Sequence, residues 1–403
     1  MLTTYRRVFA HPGALAFSAT GLLARLPVAM MTLGIVLLVS ALTGSYSLAG
    51  QISAAFVIGN GAAAIPHGRL VDRFGQHRLL YADSALFGLA TGLMVVSIRE
   101  DWALPLPHLL AVLAGVGMPM IGTMVRSRWA HLLDDEGEKQ TAFAVESVVD
   151  EAIFVTGPVI VTFLSTLYAP ESGLLVALVI GTGGTLALAA QRRTEPPAHP
   201  RDPAVARAPM PWRLLVPLTL AALALGSLFG AQGVATVAYA DDAGRKAFSG
   251  VMLALFSLGS GIAGVVAGAM TWRRGPLQRA RTGLVLLALG VLVLPLLDGL
   301  AVISAMLFVT GLTLAPTLIA LLSIIERSVP RSRLNEAMGV VQTGVGAGLA
   351  PGAGIAGVVA DLGGGSAAYW VGAGSGVLAA CLLLAVPEVA RSEPVPPSPA
   401  LPG

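Results

Sequence analysis

Residues 68–78 read GRLVDRFGQHR, a short run dense in charge between two long apolar stretches. Before it, residues 26–66 contain no Asp, Glu, Lys or Arg; after it, residues 79–97 carry only Asp83. In a soluble protein such a run would be an ordinary surface turn. Between two segments of hydrocarbon length it reads as a tight charged connection at a membrane face. The rest of the chain repeats that arrangement.

Composition points the same way. The chain has 403 residues, of which 55% are hydrophobic and 12% charged, about half the charge of an ordinary soluble domain. Its 48 Gly and 26 Pro would weaken soluble helices, but membrane helices tolerate both and use small residues to pack closely. The single cysteine, Cys381, excludes an intrachain disulfide framework and a cysteine-rich metal site. Arg6 and Arg7 ahead of apolar residues resemble the start of a signal peptide. The apolar run continues without a small-residue cleavage box, so it reads as a retained first span.

Charge-free runs place twelve spans, at 14–40, 48–66, 79–98, 104–126, 142–168 and 172–190, then 213–239, 247–270, 281–297, 300–325, 336–360 and 366–387. The expectation is an all-α polytopic membrane protein with two six-helix bundles, 1–190 and 213–387. A Pro/Arg-rich flexible linker, 191–212, joins them, and a disordered tail follows at 388–403. With both termini cytoplasmic, nearly all of the 25 Lys and Arg fall on the cytoplasmic side. Only Arg99, Arg245 and Lys246 fall outside, and only Arg25 falls within a span. That asymmetry follows the positive-inside rule. It also accounts for the net charge of +3 without a nucleic-acid partner; the expected surroundings are a lipid bilayer, with a monomer as the functional unit.

The stretch 68–78 resembles the signature loop between the second and third spans of major facilitator superfamily carriers. Gly68, Asp72, Arg73 and Gly75 match, whereas Gln76 and His77 stand where that family usually has two basic residues, and Arg78 follows one place late. The resemblance implies a bacterial-type carrier of two rocking bundles, in which this loop governs conformational change rather than substrate choice. Gly68, Arg69, Asp72, Arg73, Gly75 and Arg78 then form a cytoplasmic latch; the plainer reading is a topology signal that keeps the loop inside. Gly68 would let helices approach and Gly75 would permit the return turn. Gly157–Pro158 resembles the core of the helix-bending motif in the superfamily's drug–proton antiporters, without the flanking glycines.

Within the spans, ionisable residues are the informative ones, because each is costly in hydrocarbon and ordinarily faces a partner or an aqueous path. Glu146, Asp150 and Glu151 crowd the fifth span, as a proton relay or substrate contact, or as structural partners of an arginine. Arg25 lies about 16 Å into the first span and needs one of those three acids as partner. The pair is either a structural lock or an anion-binding group. Gln342 is a cavity candidate, Glu336 suits a helix N-terminus, Asp83 is expected to pair with the arginines of 68–78, and His67 is expected to face solvent. Met30, Met31, Tyr239 and Trp370 line a cavity or pack. No phosphate-binding loop, zinc pattern or nucleophile elbow appears in credible context. No cofactor is expected, and energy would come from a proton gradient. The leading expectation is therefore a non-enzymatic secondary transporter in the cytoplasmic membrane that exports a hydrophobic or amphipathic small molecule by proton-coupled antiport. The alternatives are an uptake carrier for a metabolite or anion that uses Arg25, and a non-transporting scaffold or sensor.

Overall fold

The computed structural model describes residues 2–198, 210–270, 272–329 and 333–386. Its helices are α1 (Leu2–Ala10), α2 (Ala14–Thr43), α3 (Tyr46–Phe74), α4 (Gln76–Arg99), α5 (Leu106–Val116), α6 (Ile121–Leu132), α7 (Glu136–Leu167), α8 (Ser172–Ala190), α9 (Trp212–Asp242), α10 (Ser249–Ala269), α11 (Pro276–Val293), α12 (Leu300–Gly311), α13 (Leu314–Ser328) and α14 (Leu334–Leu384). Hydrocarbon leaves no water to satisfy the backbone, so the spanning segments are built from helix. Among the described residues 11 helical segments are long and apolar enough to cross a membrane, with α5–α6 and α12–α13 each forming one broken span. Residues 199–209, within the expected linker, and the expected tail at 388–403 lie outside the described residues.

The eleventh segment crosses twice. α14 has 51 residues, roughly 77 Å of helix, far more than one bilayer core of about 30 Å. Gly364 interrupts it at φ 76°, ψ −178°, a backbone region essentially restricted to glycine. The two arms run in opposite directions along α9. Gly344, Gly348 and Gly352 of the first arm meet Thr219, Leu223 and Ser227 in ascending order. On the second arm Tyr369 bonds Thr236 (3.0 Å) and Ser375 bonds Ser227 (3.0 Å), in descending order. Twelve crossings result.

Two expectations about the turn at 68–78 change. Residues 68–74 are not loop; they are the last two turns of α3, and the connection to α4 is Gly75 alone, at φ 83°. Gly68 has open space around its Cα and brings no helix closer. Gln76 and His77, the departures from the family pattern, hold the turn in place. Buried Gln76 accepts from Arg128 Nε (2.8 Å) and donates to Ser127 Oγ (2.7 Å) and Met124 O (3.2 Å). His77 N–H donates to Glu195 Oε1 (3.1 Å), and its ring Nδ1 lies 2.9 Å from Oε2. Arg128 also bonds Gln191 O and Thr194 Oγ1. The first residues of the expected flexible linker are therefore packed against the turn.

A further helix, α1, precedes the first span. Its Phe9, with Phe17 of α2, packs edge-on to buried Trp129, at centroid distances of 5.8 and 4.6 Å. The α9–α14 contact tests the packing argument. Gly348→Ala would set a methyl against Leu223 O and Ser227 N, backbone atoms that cannot give way, whereas Gly346 has open space. Gly348→Ala should cost about 1–3 kcal/mol, seen as a lower melting temperature in detergent, while Gly346→Ala leaves it within a degree or so of the parent.

Candidate functional site

Arg25 sits midway along α2, 4% exposed. A guanidinium there needs full compensation, because a lone charge in hydrocarbon neutralises or finds partners. It finds two on α7. Nη1 donates to Asp150 Oδ1 (2.7 Å), Nη2 pairs with Glu146 Oε2, and Nε donates to Gly21 O (3.0 Å). The remaining carboxylate oxygens are also taken. Glu146 Oε1 accepts from Ser18 Oγ (2.9 Å) and Trp129 Nε1 (2.8 Å), and Asp150 Oδ2 accepts from Arg126 Nη2 (2.7 Å). Two guanidiniums and two carboxylates thus form a neutral cluster joining α2, α6 and α7.

Glu151 is the next residue on α7, turned by about 100°, and it takes no part in that cluster. It lines a cavity of about 460 Å³ between the halves of the chain. The walls come from α2, α3 and α7 on one side and from α9, α10, α13 and α14 on the other. They are mostly apolar, including Val28, Leu33, Phe154, Phe229, Phe256 and Leu318. Ser53, Ser257, Ser260, Thr32 and Gln232 supply neutral polar atoms; Glu151 supplies the only charge in the lining. A Cβ on Gly261 of α10 would stand 3.0 Å from Glu151 Oε2, so a glycine there leaves room for the carboxylate. Among the described residues Glu151 has no ion-pair partner.

Other expected positions fall elsewhere. Gln342 is exposed and outside the cavity lining, two turns before Leu349, which does line it. Pro158 lines the cavity, yet α7 continues unbroken through it. Gly157 fits against Ala29 of α2, where a Cβ would come within 2.7 Å of another Cβ. Asp83 does not pair with the arginines of 68–78; its Oδ1 lies 3.4 Å from Nε2 of His67, and both side chains are buried rather than solvent-facing. Pairing brings the two residues inward, since each sits two turns from Gly75 on adjacent antiparallel helices. Arg69, Arg73 and Arg78 are exposed, and Asp72 is half-buried. Met30 and Met31 are core, Trp370 is exposed, and Tyr239 Oη accepts from Gly299 N (2.8 Å). The side chain of Glu336 lies outside the described residues.

One group of residues was missed from sequence. At the face opposite Gly75, Asp361 of α14 accepts from Tyr46 N (2.6 Å), Ser47 N (2.7 Å) and Ser45 Oγ (2.9 Å), a carboxylate from the second half capping a helix of the first. Tyr46 Oη donates to Asp241 Oδ2 (2.6 Å), which Lys246 also reaches (2.9 Å). Sequence reasoning did not single out Asp361, because its partner lies 315 residues away. The only available signal was that 45–47 opens a helix and leaves its first N–H groups without acceptors.

Both arrangements can be tested by substitution. Glu146→Ala leaves Arg25 buried with half its compensation, a loss of about 3–5 kcal/mol for a broken buried pair, so little folded protein should be recovered from membranes. Asp361→Asn weakens an exposed contact between halves by about 1 kcal/mol. In a Cys381→Ser background it should speed maleimide labelling of a Ser47→Cys probe several-fold without lowering expression.

The comparisons with known proteins agree with this architecture. The family model described as Major Facilitator Superfamily matches residues 15–244 and again 218–402. Among curated proteins none matches the chain. The fold is similar to that of the POT family transporter PepTSo (TM-score 0.74, 14% identity, covering 92% of this chain and 96% of that one). It is similar also to the nucleoside transporter NupG (TM-score 0.71, 13% identity, 92% and 99%). A third is a bacterial homologue of the iron transporter ferroportin, solved facing inward (TM-score 0.67, 17% identity, 92% and 98%). With twelve crossings, a cavity between the halves and a family match over both of them, the chain belongs to the Major Facilitator Superfamily, a family of transporters and not of enzymes, and is a multi-pass, alternating-access secondary transporter of small molecules.

Proposed function

We propose that this transporter exports hydrophobic or amphipathic small molecules across the cytoplasmic membrane in exchange for protons, with Glu151 as the exchanging carboxylate. One observation carries the reading: the cavity is apolar and holds a single carboxylate without a counterion, while the other intramembrane acids of α7 are already neutralised. A carboxylate so placed binds either a proton or a ligand group, and competition between the two couples their movements. The distribution of Lys and Arg supports cytoplasmic termini. It puts Gly75 and the latch residues Gly68, Arg69, Asp72, Arg73 and Arg78 on the cytoplasmic side. Bundles 1–190 and 213–387 then rock about the cavity, joined by 191–212, with Asp361 tying the outer face.

An anion carrier built on Arg25 draws no support from this geometry, since both of that guanidinium's nitrogen ends are occupied by carboxylates. The test is proton movement in proteoliposomes on addition of lipophilic compounds. The parent protein should show substrate-driven proton flux, and Glu151→Gln should abolish it while the folded protein persists. Full proton coupling in Glu151→Gln would refute the assignment.

A further inference from the structure

Gln232 of α9 lines the same cavity as Glu151, from the opposite half of the chain. It is 4% exposed, and its Oε1 is a buried atom with no hydrogen-bond partner. An amide can turn end for end, so it can present a carbonyl or an N–H₂ to the space beside it. Buried polar groups are ordinarily satisfied, and one left open at the wall of a cavity is a position waiting for a ligand or water. The cavity lining contains no Lys, Arg or His. Its fixed features are one carboxylate, one free amide, a few hydroxyls and the rings of Phe154, Phe229 and Phe256.

Those features select among ligand charges. A carboxylate or phosphate would meet Glu151 without any compensating cation. A neutral ligand would leave Glu151 either ionised and unbalanced, which is costly, or protonated, in which case ligand and proton do not compete and nothing is exchanged. A cation balances it, and the aromatic rings add a favourable face for positive charge. Cations differ in turn. A quaternary ammonium offers charge but no donor, so Gln232 remains unsatisfied and is now cut off from water. A protonated amine offers both charge and N–H. We infer that the ligand of this cavity is a lipophilic amine in its protonated form, its charge held by Glu151 and its N–H directed to the carbonyl of Gln232.

This inference rests on the exporter reading of the cavity, and it narrows that reading to one ligand chemistry. It also gives the exchange a simple form. The ammonium group and a proton compete for the same carboxylate: when the amine leaves, a proton takes its place on Glu151, and when the amine binds, that proton is released. The cavity never holds an uncompensated charge at either end of the cycle.

The test is direct binding by the full chain in lipid nanodiscs at neutral pH, with a matched series on one aromatic body. The compounds are N,N-dimethyl-1-naphthylmethylamine, trimethyl(1-naphthylmethyl)ammonium, 1-naphthylmethanol and 1-naphthylacetate. The parent protein should bind the tertiary amine roughly tenfold more tightly than the quaternary ion, the effect of one charge-assisted hydrogen bond. Both cations should bind more tightly than the alcohol, and the acetate should not bind. Gln232→Leu should close the gap between the two cations, and Glu151→Gln should remove the preference of both over the alcohol. The parent comparison needs no variant, so misfolding of a mutant does not spoil the test. If the alcohol or the acetate binds as tightly as the amine, the inference fails while an apolar substrate cavity stands. Equal binding of the two cations would refute the role of Gln232. If no compound binds, the inference and the exporter reading fail together.

Discussion

A guanidinium sunk in the middle of a membrane helix is tolerated only if every face of it is answered. Arg25 is answered by Glu146 and Asp150 on α7, by the carbonyl of Gly21, and at one remove by Arg126, Ser18 and Trp129. Much else follows from that. The register of α7 against α2 is set by two carboxylates one turn apart, and Gly157, two turns on, lets the helices close to contact. With Glu146 and Asp150 facing α2 and α6, their neighbour Glu151 must face the other way, into the space between the halves. The neutral cluster is therefore what aims the Glu151 carboxylate into the cavity.

The same logic separates what was legible in the sequence from what was not. Span number and order could be read because charge is excluded from hydrocarbon and concentrated at one face, a one-dimensional pattern. The partnership of Arg25 with the acids of α7 was also legible, since no lipid-facing alternative exists for an arginine at that depth. Which of three clustered acids stood apart was not, because Glu146, Asp150 and Glu151 differ only in angle about a helix whose neighbours sequence does not name. Asp83 and His67 illustrate the same limit. Asp83 was assigned to the charged residues nearest in sequence and His67 to solvent, and each found the other across two antiparallel helices. Residues 68–74 looked like loop because they are charged, yet a helix can carry charge once it leaves the hydrocarbon.

The two faces of the molecule are closed by different chemistry. At the Gly75 face the turn is held within the first half. Gln76 and His77, in place of the basic residues typical of the family, bond α6 and Glu195 rather than reaching outward. At the other face Asp361 and Asp241 reach from the second half to Tyr46 and its neighbours in the first. The bonds of Gln76 and His77 thus stiffen one bundle, whereas those of Asp361 and Asp241 cross the gap that alternating access must open.

The contact between Glu195 and His77 has a mechanical consequence. It pins the start of the inter-bundle connection to the first half, and Met210 packs on the core just ahead of α9, so each end of the connection is anchored. Movement of one bundle relative to the other is then felt by the chain between these two anchors and not by the Gly75 turn.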